Sequence, residues 1–197
     1  MQIENHKEEV PFSYYAELFA KADPAEMAAR TGAAFDGKAF QVILLGVAYS
    51  ITHPDVWITP AAPLPVQTFL LRYLLECKQV AWNGGYLTFR EMPWGELYIK
   101  PYTGRVLTRA AFTFGTRLQA FEQAAQKLGG KKLIHGDAGY EFSFVDNYVM
   151  QLLVWAGDDE FPPNAQVLYS DNFSDGFAPE DRVVAGDILI SHIKSAM

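Results

Sequence analysis

The sequence predicts an α+β fold, a single domain with a mainly antiparallel sheet and segregated helices. Three observations lead to this reading. Short runs rich in β-branched and aromatic residues come in hairpin-like groups near residues 33–59 and again near 140–169. Stretches of helical period lie before, between and after those groups instead of alternating strictly with single strands. Finally, 50% hydrophobic and 20% charged residues in a 197-residue chain suffice for one ordinary globular core.

The elements follow in order. Residues 1–11 read as a polar N-terminal tail, and the domain as residues 12–197. A first helix is expected to begin near Pro11 and Ser13, with Tyr15, Leu18, Phe19 and Ala22 forming its apolar stripe. Asp23 and Pro24 have the N-cap and first-position chemistry of a second helix, which Gly32 ends. Ala33 to Phe35, the Asp36-Gly37 turn and Phe40 to Leu45 read as a hairpin. Val47 to Thr52 and Val56 to Thr59 then extend it to a meander. Val66, Phe69, Leu70, Tyr73, Leu74 and Cys77 repeat at helical spacing after a proline-rich breaker.

Tyr86 to Phe89 and Glu96 to Ile99 are strand candidates separated by Pro93-Trp94-Gly95. Leu118, Phe121, Ala125 and Leu128 define a helix stopped by Gly129-Gly130. Tyr140, Phe142 and Phe144 alternate with Glu141 and Ser143, the period of a strand with one wet face. Asp146-Asn147 turns the chain back into the nearly all-apolar run Tyr148 to Trp155. An acidic, proline-containing loop leads to a strand around Gln166 to Tyr169, and Pro179-Glu180 open a last helix.

Composition excludes several function classes. A net charge of −7 without a clustered basic patch argues against nucleic acid as a partner. Cys77 is the single cysteine, so this chain holds no iron–sulfur cluster or disulfide framework, and a reducing compartment fits best. A polar, acidic N-terminus and the lack of long apolar runs predict a cytoplasmic protein without a membrane partner.

Four constellations could carry chemistry. Gly32 to Lys38 has phosphate-loop spacing, but Ala39 stands where a hydroxyl should hold Mg²⁺ and Asp36 would face the phosphates, so a helix cap and hairpin turn explain it better. His135 and Asp137 could be a general base with its orienting carboxylate, or part of a ligand site. Asp158, Asp159 and Glu160 offer oxygen ligands for a hard cation, against the simpler reading of a solvated turn. Arg90, Glu91 and Trp94 combine a guanidinium fork with a stacking ring, or else form an internal ion pair with Trp94 closing the core edge.

The string Gly129-Gly130, Gly136-Asp137, the strand ending in Trp155, Gly157 to Pro163 and Pro179-Glu180-Asp181 resembles the prokaryotic family of domain of unknown function 3786. The similarity extends upstream through Asp23-Pro24, Ala29 to Gly32, Phe69 to Leu75 and Phe89 to Glu91. Some members of that family carry an N-terminal iron–sulfur domain of the kind found in corrinoid proteins, which this chain lacks. It also has Gly176-Phe177 where the family tends to a His-Tyr pair. The resemblance implies an anaerobic redox or one-carbon setting, with a corrinoid or other tetrapyrrole as the cofactor and a redox protein as a partner.

The reading is therefore a ligand-binding or accessory protein, with Arg90, Glu91, Trp94, His135, Asp137 and Trp155 lining an aromatic-rich cleft. One alternative is a metal-assisted hydrolase or transferase using His135, Asp137 and the carboxylates of Asp158, Asp159 and Glu160. The other is a structural partner-binding protein.

Overall fold

The computed structural model describes residues 6–197, and the side-chain surroundings from residue 11. The fold is α+β, and the chain divides into two compact units, Met1–Gln79 and Val80–Met197. Of the polar tail expected over 1–11, residues 1–5 lie outside the described residues. The rest is already helical, because α1 runs His6–Lys21 with Pro11 inside it.

In the first unit α2 (Pro24–Thr31) starts as its sequence predicts. The Asp23 carboxylate accepts the Ala25 N–H at 2.8 Å, Pro24 occupies the first turn, and Gly32 closes the helix at φ 76°. β1 (Ala34–Phe35), β2 (Ala39–Leu44), β3 (Val47–Thr52) and β4 (Ile58–Thr59) follow, each antiparallel to the next. The Asp36 carboxylate accepts the Lys38 and Ala39 N–H groups, both at 2.8 Å, and these bonds hold its carboxyl below the usual carboxylate range. That is hairpin-turn chemistry and disposes of the phosphate-loop reading.

α3 (Leu64–Glu76) buries Phe69, Leu70, Leu71, Tyr73 and Leu74 and packs against α1. Its last carbonyls are satisfied from α2: the Arg30 guanidinium donates to Leu74 O, Leu75 O and Cys77 O at 2.7, 2.5 and 3.1 Å. Cys77 itself is buried, as its place on the apolar stripe predicts.

The second unit is a sheet with helices on one face. Its strands are β5 (Tyr86–Thr88), β6 (Lys131–Leu133), β7 (Ala138–Val145), β8 (Tyr148–Trp155) and β9 (Asn164–Ser170). They lie in the order β6, β7, β8, β9, β5, every pair antiparallel. Tyr140, Phe142, Phe144, Tyr148, Met150, Leu152, Val154, Val167 and Tyr169 are buried on the helix-covered face. Lys131 and Lys132 are exposed and form part of the edge strand β6.

Glu96 to Ile99 is not a strand. It opens a long helical stretch made of α4 (Gly95–Tyr102), a π-helical segment (Thr103–Thr108) and α5 (Arg109–Phe114). Four residues are too short a window to tell the two apart. Over a longer one, Tyr102, Val106 and Ala110 are buried while Gly104 and Thr108, which a strand would place on the same face, are exposed, a pattern that fits a helix and not a strand. α6 (Leu118–Lys127), α7 (Phe173–Gly176) and α8 (Pro179–Ser195) complete the layer. No helix among the described residues is long and apolar enough to cross a membrane.

Candidate functional site

The second unit's sheet has two unlike faces because its strands alternate. Opposite the helices, one ladder row runs Lys131, Glu141, Gln151, Leu168, Thr88 across all five strands. Tyr86, two residues before Thr88, points to the same side. Its hydroxyl reaches over β9 and β8 to donate to Glu141 Oε2 at 2.6 Å, where Gln151 Nε2 also donates at 3.0 Å. Lys131 Nζ stands 3.7 Å from the other carboxylate oxygen, Oε1, beyond hydrogen-bond range. The Trp82 indole packs edge-on to the Tyr86 ring, with centroids 5.4 Å apart, and donates to Gly85 O. Trp155 lies half-buried further along the same face of β8.

This network has a definite charge state. Burial works to raise the Glu141 carboxyl, but the Tyr86 and Gln151 hydrogen bonds and the Lys131 charge outweigh it, and the group titrates below its ordinary 4.5. Burial and the Glu141 carboxylate push the Tyr86 phenol up. Near neutral pH the pair is therefore carboxylate and neutral phenol, a fixed acceptor and donor with no proton poised for transfer. A lowered folded-state value makes Glu141 stabilising above about pH 4.5, with the contribution lost as pH falls further. Replacing Glu141 with Gln is expected to flatten the acid limb of a stability-against-pH curve below that point, measured by urea unfolding between about pH 3 and 6.

The residues singled out in sequence are dispersed. His135 is exposed on the β6–β7 turn and forms no dyad with Asp137, whose Oδ2 accepts the Ala156 N–H at 2.8 Å. Asp137 thus ties the start of β7 to the end of β8 near Trp155. Asp158 uses its Oδ1 on the Glu160 and Phe161 N–H groups at 2.9 and 2.7 Å, which lower its carboxyl. Among the described residues no three His, Cys, Asp or Glu side chains are placed to hold a metal. Asp158, Asp159 and Glu160 instead rim an open cleft of about 370 Å³ with Gly115, Thr116 and Phe161 to Pro163.

Arg90, Glu91 and Trp94 lie beyond β5, on the opposite side of the sheet from His135. Between β5 and β7 are three strand spacings, roughly 14 Å. Arg90 and Glu91 do not pair internally. Glu91 Oε2 accepts the Thr88 N–H and hydroxyl at 2.7 and 2.8 Å in a capping box, while Arg90 pairs with Glu96 at 3.3 Å. Trp94 does not close the core edge. Its ring is 68% exposed and its backbone is left-handed at φ 65°, a conformation that costs a non-glycine residue about 1–2 kcal/mol. Trp94→Gly is accordingly expected to raise unfolding stability by about 0.5–1 kcal/mol, read as an upward shift of the urea midpoint.

Sequence reasoning missed Tyr86, Glu141 and Gln151. The signals were there. Gln151 is the one polar residue in the Tyr148 to Trp155 run, and Glu141 sits on the wet face of an alternating strand. What no pattern discloses is that Tyr86, some fifty residues away, closes the network.

A family model described as domain of unknown function (DUF3786) matches residues 23–192, which contain all the resemblance-bearing segments. No curated protein and no solved structure matches the chain.

Proposed function

Because the chain belongs to the DUF3786 family, whose membership assigns no activity, we propose from its own geometry that it is a non-catalytic ligand-binding module working through the open face of the second unit's sheet. The observation that carries this reading is the half-buried Glu141 carboxylate. Its Oε2 is held by Tyr86 and Gln151, while its Oε1 faces the exposed Lys131 ammonium at 3.7 Å. Such an oxygen is a preorganised acceptor, and the Lys131 cation marks the charge it prefers. Trp82 and Tyr86 add flat apolar surface beside it. The ligand class that fits is a small molecule with an amine, amidine or amide donor on a flat apolar body.

The hydrolase alternative has less support, since Asp137 and Asp158 spend their carboxylates on backbone N–H groups. Service to an anaerobic redox system rests on the family resemblance. A tetrapyrrole finds no ligand in the 157–163 cleft, whose lining holds neither imidazole nor thiolate.

Benzamidine, a flat ring bearing an amidinium, is the probe. Titrated into ¹⁵N-labelled protein, it is expected to shift the amides of Tyr86, Glu141, Gln151 and Lys131, and to lose that effect in Glu141→Gln but not in Asp158→Asn. Shifts scattered over the surface, or unchanged in Glu141→Gln, would refute the proposal.

A further inference from the structure

Trp94 is the exposed end of a stripe. Trp94, Leu97, Tyr98 and Pro101 recur at helical spacing along α4 and all face solvent, the first three at 68, 73 and 41% exposure. The adjoining face of the same helix buries Gly95 and Tyr102. The apolar surface of this helix is therefore wider than the part the core covers, and surface helices normally carry charge on the solvent side. The strained turn that presents Trp94 is held from several directions. Arg182 Nη1 donates to Pro93 O at 2.8 Å, and Gly95 lies so close to the Phe89 carbonyl that no side chain fits between them. Left-handed backbone persists at a bulky residue only where its surroundings impose it, and such places cluster at functional surfaces.

We propose that this stripe is a self-association surface, and that its occupant is the same stripe on a second copy of the chain. Charge complementarity favours a second copy over an unrelated partner. Arg90 and Glu96, 63 and 69% exposed, stand together beside the stripe. They pair within one copy at 3.3 Å, and a twofold contact would let each Arg90 exchange its own Glu96 for that of the other copy, so one surface supplies both halves of a closed, isologous contact. The area agrees. The three large side chains expose on the order of 400 Å² of apolar surface per copy. With the polar rim that normally surrounds such a core, the contact approaches the roughly 800 Å² per partner of a standard interface. The expected product is a reversible dimer in the micromolar range. This inference is independent of the ligand-binding proposal, because the stripe and the Glu141 face share no residue.

Sedimentation velocity across a concentration series on the whole chain tests it. The wild type is expected to pass from monomer to dimer, and Leu97→Asp to remain monomeric at the highest concentration. Trp94→Gly, which relieves strain instead of adding charge, is expected to weaken the dimer at least tenfold while its unfolding midpoint does not fall, so lost association cannot be ascribed to lost folding. Arg90→Glu alone is expected to weaken the dimer, and the double exchange Arg90→Glu with Glu96→Arg to restore it. A monomer at every concentration would overturn the proposal. So would a dimer that Leu97→Asp leaves intact, or one in which Arg90→Glu and the double exchange behave alike.

Discussion

Replacing Arg182 with Met is expected to lower the unfolding free energy by about 3–5 kcal/mol, read as a large drop in the urea midpoint. Arg182 is almost fully buried near the start of α8. Its Nε donates to Phe173 O at 3.2 Å and Phe177 O at 3.0 Å, its Nη1 to Pro93 O at 2.8 Å and its Nη2 to Ser174 O at 2.7 Å. All four acceptors are neutral carbonyls. Burial pulls the guanidinium below its ordinary value, but an arginine remains charged, so its hydrogen bonds offset the cost of desolvation. Met fills most of the volume and leaves four carbonyls without that donor. Arg182→Lys is expected to recover little, because a point ammonium cannot reproduce a planar fork bridging α7 and the Pro93 turn. A loss below about 1 kcal/mol, the range of a single ordinary hydrogen bond, would show that water takes the guanidinium's place.

The second large effect is expected at Gly95. A Cβ built there meets the Phe89 carbonyl oxygen at overlap distance, and the Arg90 Cα and carbonyl oxygen at 3.0 Å each. These are backbone atoms, with no flexible side chain to swing aside. Gly95→Ala must therefore move the Phe89–Glu91 turn or the start of α4, at an expected cost of about 2–4 kcal/mol. Gly104 is the internal control. It lies in the π-helical segment with open space around it, so Gly104→Ala is expected to be neutral or to stabilise by up to about 1 kcal/mol. Comparing the two urea midpoints checks both at once. Equal effects would mean that the close approach at Gly95 relaxes at little cost.

Most elements were legible because local chemistry and burial agree in them. Asp23 caps, Pro24 starts and Gly32 stops α2, as their side chains dictate. The alternation of β7 and the apolar run of β8 report a sheet with one covered and one open face. The stretch from Glu96 to Ile99 failed for the opposite reason. Its β-prone side chains favour a strand locally, and the helical burial of Tyr102, Val106 and Ala110 overrides them. At the site level, an exposed stacking Trp94 was one of two readings the sequence allowed, while its left-handed backbone was not legible. The acidic run at 158–160 was visible as carboxylates, while its use as turn chemistry needed the hydrogen bonds of Asp158.

The sequence by itself determined the fold class, the placement of most helices and strands, and the family. The fold class and the elements depend on periodicity and capping, which act within a few residues of one another, and the family on strings of residues that resemble it. Only the tertiary structure decided which polar groups meet. The Tyr86–Glu141 bond spans three strand spacings, and the Arg182 fork joins carbonyls from two distant stretches of chain. Such pairings follow from strand order and helix packing, in which residues far apart in the chain become neighbours only once the whole sheet has chosen its register.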